Sequence, residues 1–283
     1  MSTTLRLGFS PCPNDAFIFH ALVEGGLDTG PLRFEPHLDD VETLNGWAEE
    51  ARLEVAKVSY HAFGRIADRW WMLPSGGALG RGVGPLLVAR RPDVALEGAR
   101  VATPGGRTTA NLLLDLYTQD RPDGAPIERI EMRYDQIMPA VAAGEVDAGL
   151  IIHESRFTYP DHGLVRLADL GSWWEISTGA PIPLGGIAVR RDLPDEVITG
   201  VARAVRGSVE QAFRDPEASH DYVARHAQEM SPSVRSRHID TYVNDFSVDL
   251  GDEGRAAVRL LLGRAAAIGR IPRPTAPLFW DPS

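Results

Sequence analysis

The chain has 283 residues, 43% of them hydrophobic and 24% charged, which excludes a disordered or fibrous chain and leaves one large or two modest globular domains. A formal charge of −10 removes the basic face that binders of nucleic acid or acidic membranes carry, so neither is an expected partner. The single cysteine, Cys12, rules out an internal disulfide and a cysteine-built zinc site. Lys57 is the only lysine among 29 basic residues.

The N-terminus opens on strand-like alternation, Leu5-Arg-Leu-Gly-Phe-Ser10, with no apolar leader core. No uncharged apolar run approaches the ~18 residues that a membrane span needs. A cytoplasmic location is expected. The strand runs into a proline-stiffened turn, and a helix is predicted from Asp15 to Val23, with Asn14 or Asp15 able to cap it. The same plan returns at Ala99-Arg-Val-Ala-Thr-Pro-Gly-Gly106, followed by a helix from Thr108 to Tyr117.

Two further pairs echo each other in the same order. Leu53-Glu-Val-Ala-Lys-Val-Ser59 and Val146-Asp-Ala-Gly-Leu-Ile-Ile152 each read as an acidic turn and then a buried strand. Arg6 lies 48 residues before Glu54, and Arg100 lies 47 before Asp147. Gly84-Pro-Leu-Leu-Val-Ala-Arg-Arg91 and Gly185-Gly-Ile-Ala-Val-Arg-Arg191 are both glycine-led strands ending in two arginines. Three matches in register predict two α/β lobes of one plan. If the glycine-led strands are the crossovers, residues 1–95 and 186–283 form lobe one and 96–185 form lobe two. Amphipathic helices over residues 197–213 and 252–268 are expected to pack on lobe one, the second stopped by Gly269. This is the two-lobed, type 2 periplasmic-binding-protein-like α/β fold, with two crossover strands and C-terminal helices.

Chemistry is sought where strands of such lobes end. Gly80-Arg-Gly-Val-Gly84 precedes a strand rather than a helix, which argues against a dinucleotide loop, and no lysine follows a glycine-rich turn. The histidines form no HExxH pair, so no metal site is expected. Ser10 to Asp15 is either a stiff turn or a set of polar groups and helix amides at a strand end. In it, Ser10 and Asn14 are the candidate contacts, and Cys12 reads as inert rather than nucleophilic. The turn before Thr108, Thr109 and Ala110 is a capped helix start or a cradle for a carboxylate. Lys57, with Val58 and Ser59, sits on a buried strand where a lone ammonium needs a partner or a cleft. His153 ends an apolar strand and is either a general base at the cleft or a hydrogen-bonded structural histidine. Trp70-Trp71 and Trp173-Trp174 read as packing.

Taken together, Ser10-Pro-Cys-Pro-Asn-Asp15 with Phe17-Ile-Phe19, Asp40-Val-Glu-Thr-Leu-Asn45, Ser75-Gly-Gly-Ala-Leu-Gly-Arg-Gly-Val-Gly-Pro85, Gly149-Leu-Ile-Ile-His-Glu-Ser-Arg-Phe-Thr-Tyr159 and Thr241-Tyr-Val-Asn244 closely resemble the 1,4-dihydroxy-6-naphthoate synthase family of the futalosine route to menaquinone. The resemblance implies a lyase acting on cyclic dehypoxanthine futalosine in an inter-lobe cleft, without a metal or organic cofactor. It implies His153 as the general base, and substrate contacts from Lys57 to Ser59 and from Thr108 to Ala110. Ala16 stands where the family more often has threonine. Two other readings stay open on sequence: chorismate dehydratase of the same pathway, and a non-catalytic module that binds a small carboxylate.

Overall fold

The computed structural model describes residues 2–121, 126–227 and 231–281. Lobe one begins with β1 (Thr3–Phe9), α1 (Pro13–Val23), β2 (Leu32–Leu38), α2 (Val41–Glu49), β3 (Val55–Ser59), α3 (Tyr60–Ile66), β4 (Trp70–Met72) and β5 (Ala78–Gly80). Lobe two carries β6 (Leu86–Ala89), β7 (Arg100–Thr103), α4 (Thr109–Asp120), β8 (Glu128–Glu131), α5 (Tyr134–Ala143), β9 (Ala148–Ile151), α6 (Ser155–Thr158), β10 (Val165–Asp169) and α7 (Leu170–Thr178). The chain then returns along β11 (Ile182–Arg190) and finishes with α8 (Asp195–Arg214), α9 (His220–His226), α10 (Pro232–Tyr242), α11 (Asp245–Val248) and α12 (Gly251–Ala267). No helix among the described residues is long and apolar enough to cross a membrane.

The sheet pairing explains the sequence echoes. The first sheet runs β2-β1-β3-β11-β4, with β5 also on β11, and the second runs β10-β6-β9-β7-β8. Read from the outer strand inward, β2-β1-β3-β11 and β8-β7-β9-β6 are the same arrangement, parallel for three strands and then antiparallel. Each glycine-led strand is thus the fourth strand of one lobe. Leu86–Ala89 pairs with β9 and β10, so it belongs to the second sheet, and the chain leaves lobe one ahead of β6 rather than near residue 95. A fully buried apolar run has no polar face to say which sheet receives it, and the prolines at Pro85 and Pro92 bracket it on both sides. The strand that returns near residue 185 pairs with β3 in the first sheet.

The paired spacings of arginine and acid are also contacts. Glu54 accepts the Arg6 amide at 2.9 Å and donates its own amide back to the Arg6 carbonyl. Asp147 repeats this with Arg100, accepting its amide at 2.8 Å. Each acid stands just before the third strand of its lobe and ties that strand to the first.

Apolar faces are buried where periodicity predicted them. Helix α8 turns Ile198, Val201, Val205 and Val209 onto the first lobe, where they join Phe9 and Phe19 in one core. Trp70 and Trp174 are fully buried, the latter donating Nε1–H to the Pro181 carbonyl. At one crossover Gly84 has φ +126° and lies so close to Gly171 that a side chain on either would collide with backbone.

Candidate active site

A single cleft between the lobes is lined by Ser10, Asn14, Lys57, Val58, Ser59, Thr108, Thr109, Ala110 and His153, all the residues singled out from sequence. The structure adds Asp15, Leu44, Tyr242 and His238. The loop after β1 turns directly into α1 because Pro13 takes the first helical position, where its missing N–H is no loss. The helix is capped by Cys12 without a side-chain bond, so neither Asn14 nor Asp15 is the cap that sequence suggested. Both lie inside the first turn, with their side chains turned to the cleft wall.

Asp15 is the hub of that wall. One carboxylate oxygen accepts from Ser10 Oγ at 2.7 Å; the other accepts from Asn14 Nδ2 at 2.9 Å and from Lys57 Nζ at 2.8 Å. Lys57 also donates to the Gly76 carbonyl at 3.0 Å. Both ionic groups are buried, which is tolerable because each is paired and hydrogen-bonded. An ammonium has three donors, so one N–H of Lys57 remains beyond these two contacts. The pair is neutral as a unit, and attraction for an anion therefore falls mainly to other groups.

Those groups stand at the start of α4. Thr108 caps the helix, accepting from the Asn111 amide at 3.2 Å and donating to the Gly105 carbonyl. Thr109 donates to the Leu184 carbonyl at 2.6 Å, tying lobe two to β11. Their hydroxyls are spent on structure. Thr109 and Ala110 line the cleft at the first turn of α4, where backbone amides have no carbonyl one turn back within the helix and sit at its positive end. His61 braces this turn from lobe one, its Nδ1 3.3 Å from the Thr108 carbonyl. Ser59 is fixed by Asn45, which accepts its amide at 2.8 Å and donates to its Oγ at 3.1 Å. In the Asp40–Asn45 segment Asp40 caps α2, Val41 and Leu44 line the cleft, and Glu42 accepts the Arg107 guanidinium at 2.9 Å across the lobes.

His153 does not continue β9. It follows the strand in a turn with φ +56°, a conformation rare for a non-glycine residue and characteristic of functional sites. Its ring meets Tyr134 edge-on at 5.1 Å and stacks on His238 at 6.1 Å. Burial, with Lys57 opposing protonation and Asp15 and Asp40 favouring it, lowers its pKa to about 4. The imidazole is therefore neutral and able to take a proton at physiological pH. Beside it, the Glu154 side chain reaches α10: its Oε2 lies 3.7 Å from His238 Nδ1. Cys12 is buried, and burial, then Glu154, pushes its thiol well up, so it is protonated and unreactive. Among the described residues no cluster of three or more His, Cys, Asp or Glu is placed to hold a metal ion.

Two lobes of one plan, joined at β11 and facing across one cleft, define a protein of the type 2 periplasmic-binding-protein-like class. Likeness to solved structures agrees: the alkanesulfonate-binding protein SsuA from Xanthomonas axonopodis superposes with a TM-score of 0.70 at 16% identity, over 96% of this chain and 96% of that one. Sequence comparison is more specific. The family model described as menaquinone biosynthesis matches residues 5–267, and this chain belongs to that family. It is 56% identical over 275 residues to a 1,4-dihydroxy-6-naphthoate synthase of Thermus thermophilus, covering 97% of this chain and 98% of that protein. It is 50% identical over 269 residues to one of Streptomyces coelicolor, covering 95% of each.

Proposed function

We propose that this protein is a carbon–carbon lyase that converts cyclic dehypoxanthine futalosine to 1,4-dihydroxy-6-naphthoate, and that it works in the cytoplasm on a small-molecule carboxylate without metal or organic cofactor. The observation that carries the reading is a neutral histidine, His153, held in a left-handed turn in the cleft, on the same lobe as a helix start that favours an anion. In this reading the Thr109 and Ala110 amides and the remaining N–H of Lys57 hold the substrate carboxylate, with Ser10, Asn14, Val58, Ser59 and Thr108 shaping the wall. His153 removes a hydroxyl proton; the C–O bond becomes a carbonyl as the adjacent C–C bond breaks and the sugar-derived fragment leaves. The released electron pair passes into the fused ring system, whose aromatisation drives the step. General-base catalysis of this kind contributes roughly 10²–10⁴-fold, and enclosure between the lobes adds positioning and excludes water.

Purified protein incubated with the cyclic substrate should release the naphthoate, identified by mass spectrometry. Recovery of unchanged ligand would make it a binding module, and turnover of chorismate in place of the cyclic substrate would make it a dehydratase. Either result overturns the proposal.

A further inference from the structure

Helix α10, from the far end of the chain, places one side chain in the cleft that no sequence motif marks. His238 is fully buried, stacks on His153 and packs against Tyr242, with ring centroids 4.7 Å apart in the second contact. Its Nε2 lies 2.9 Å from Asn14 Oδ1. Its Nδ1 lies 3.7 Å from Glu154 Oε2, beyond hydrogen-bond distance, and has no hydrogen-bond partner among the described residues. The ring's one firm polar contact is therefore with Asn14.

Proton accounting along this contact fixes the tautomer. Asp15, paired with Lys57, is a carboxylate that only accepts, so the Asn14 amide presents Nδ2 to it. That leaves Asn14 Oδ1 facing His238, and an amide oxygen has no hydrogen to give. His238 must carry a proton on Nε2. Burial and the neighbouring His153 hold its pKa well below the usual histidine value, so the ring is neutral and Nδ1 is bare.

We propose that His238 is a positioning residue for the reaction, whose Nε2–H holds the Asn14 amide and, through it, Asp15 and the Lys57 ammonium in the orientation that meets the substrate. The chain His238–Asn14–Asp15–Lys57 spans α10, α1 and β3, so a helix that supplies no group to the chemistry sets the geometry of the cation that does. The functional half of this inference rests on the lyase reading; the tautomer does not.

Two measurements test it. In ¹⁵N-histidine-labelled protein, long-range ring spectra, with His238 assigned by its loss in His238→Gln, should show the proton on Nε2. A proton on Nδ1 overturns the proposal, whatever the protein's activity. In kinetics, His238→Gln keeps an N–H near the Nε2 position and should retain kcat/KM within about threefold of wild type, whereas His238→Leu should lose about tenfold, the value of one buried hydrogen bond. That loss should lie mainly in KM, since the substrate-binding cation is what moves. Equal loss in both variants would assign the ring a proton-transfer role, and equal retention would leave it none; both overturn positioning. Where His238→Leu is poorly folded by thermal melt, His238→Met takes its place. Wild-type protein that fails to turn over the cyclic substrate refutes the lyase reading, and the ring spectra then decide the hydrogen-bond chain on their own.

Discussion

Replacing His153 with glutamine keeps a polar side chain of similar reach and removes the titration. Burial lowers the pKa from 6.5 to about 4, and at ~1.4 kcal/mol per unit that difference is worth about 3 kcal/mol. The sign follows from which state takes the proton. Between pH 6.5 and 4 the unfolded chain protonates His153 and the folded chain does not, so stability present above pH 6.5 is lost as pH falls through that window and levels off below it. Denaturant unfolding of both proteins at pH 7, 5.5 and 4 should therefore show the variant gaining on wild type by about 3 kcal/mol over the interval. The same shift sets the kinetics: the acid limb of wild-type kcat/KM should fall at about pH 4, since the base stays unprotonated down to there. The variant should lose roughly 10²–10⁴-fold in kcat. An acid limb near pH 6.5, or a stability difference that does not change with pH, would refute the assignment of His153 as a buried, neutral base.

The Lys57–Asp15 pair should behave as a unit. Lys57→Met or Asp15→Asn alone should cost about 3–5 kcal/mol in denaturant unfolding, because each leaves a buried charge without its partner, while the double variant should cost far less than the sum; additive losses would contradict the pairing. Native Cys12 should resist iodoacetamide at pH 8 and react once the protein is unfolded, as followed by mass spectrometry. Rapid labelling of the native form would show that burial does not raise the thiol as the geometry requires.

How much of this was legible beforehand depends on how far apart the partners lie in sequence. The strand–turn–helix echoes announced two lobes, because turns and caps are local chemistry, and the strand ends placed Ser10, Lys57, Ser59, Thr108 and His153 at one cleft. What escaped was long-range. Asp15 reads as a helix-start acid, and only folding brings Lys57 to it. His238 sits in a polar helix with no periodic signal, and its partner Asn14 is 224 residues away. The threonine hydroxyls, natural candidates for a ligand, are spent on the cap and on β11. The glycine-led segment at Leu86 reads as a strand, but its sheet is set by pairing with β9, a choice invisible in an apolar run.

The paired acids Glu54 and Asp147 have a consequence for how the two sides of the cleft are calibrated. Side chains along a strand alternate, so a slip of one residue would turn Lys57 out of the cleft and bring a neighbour in. Each acid prevents that slip in its own sheet by gripping both the amide and the carbonyl of one arginine on the adjacent strand. Glu54 stands three positions before Lys57, and Asp147 six before His153. The wall that carries Lys57 and the wall that carries His153 are thus gauged by separate, duplicated devices at the end of each sheet away from the chemistry. An error in one gauge misplaces one wall and leaves the other true.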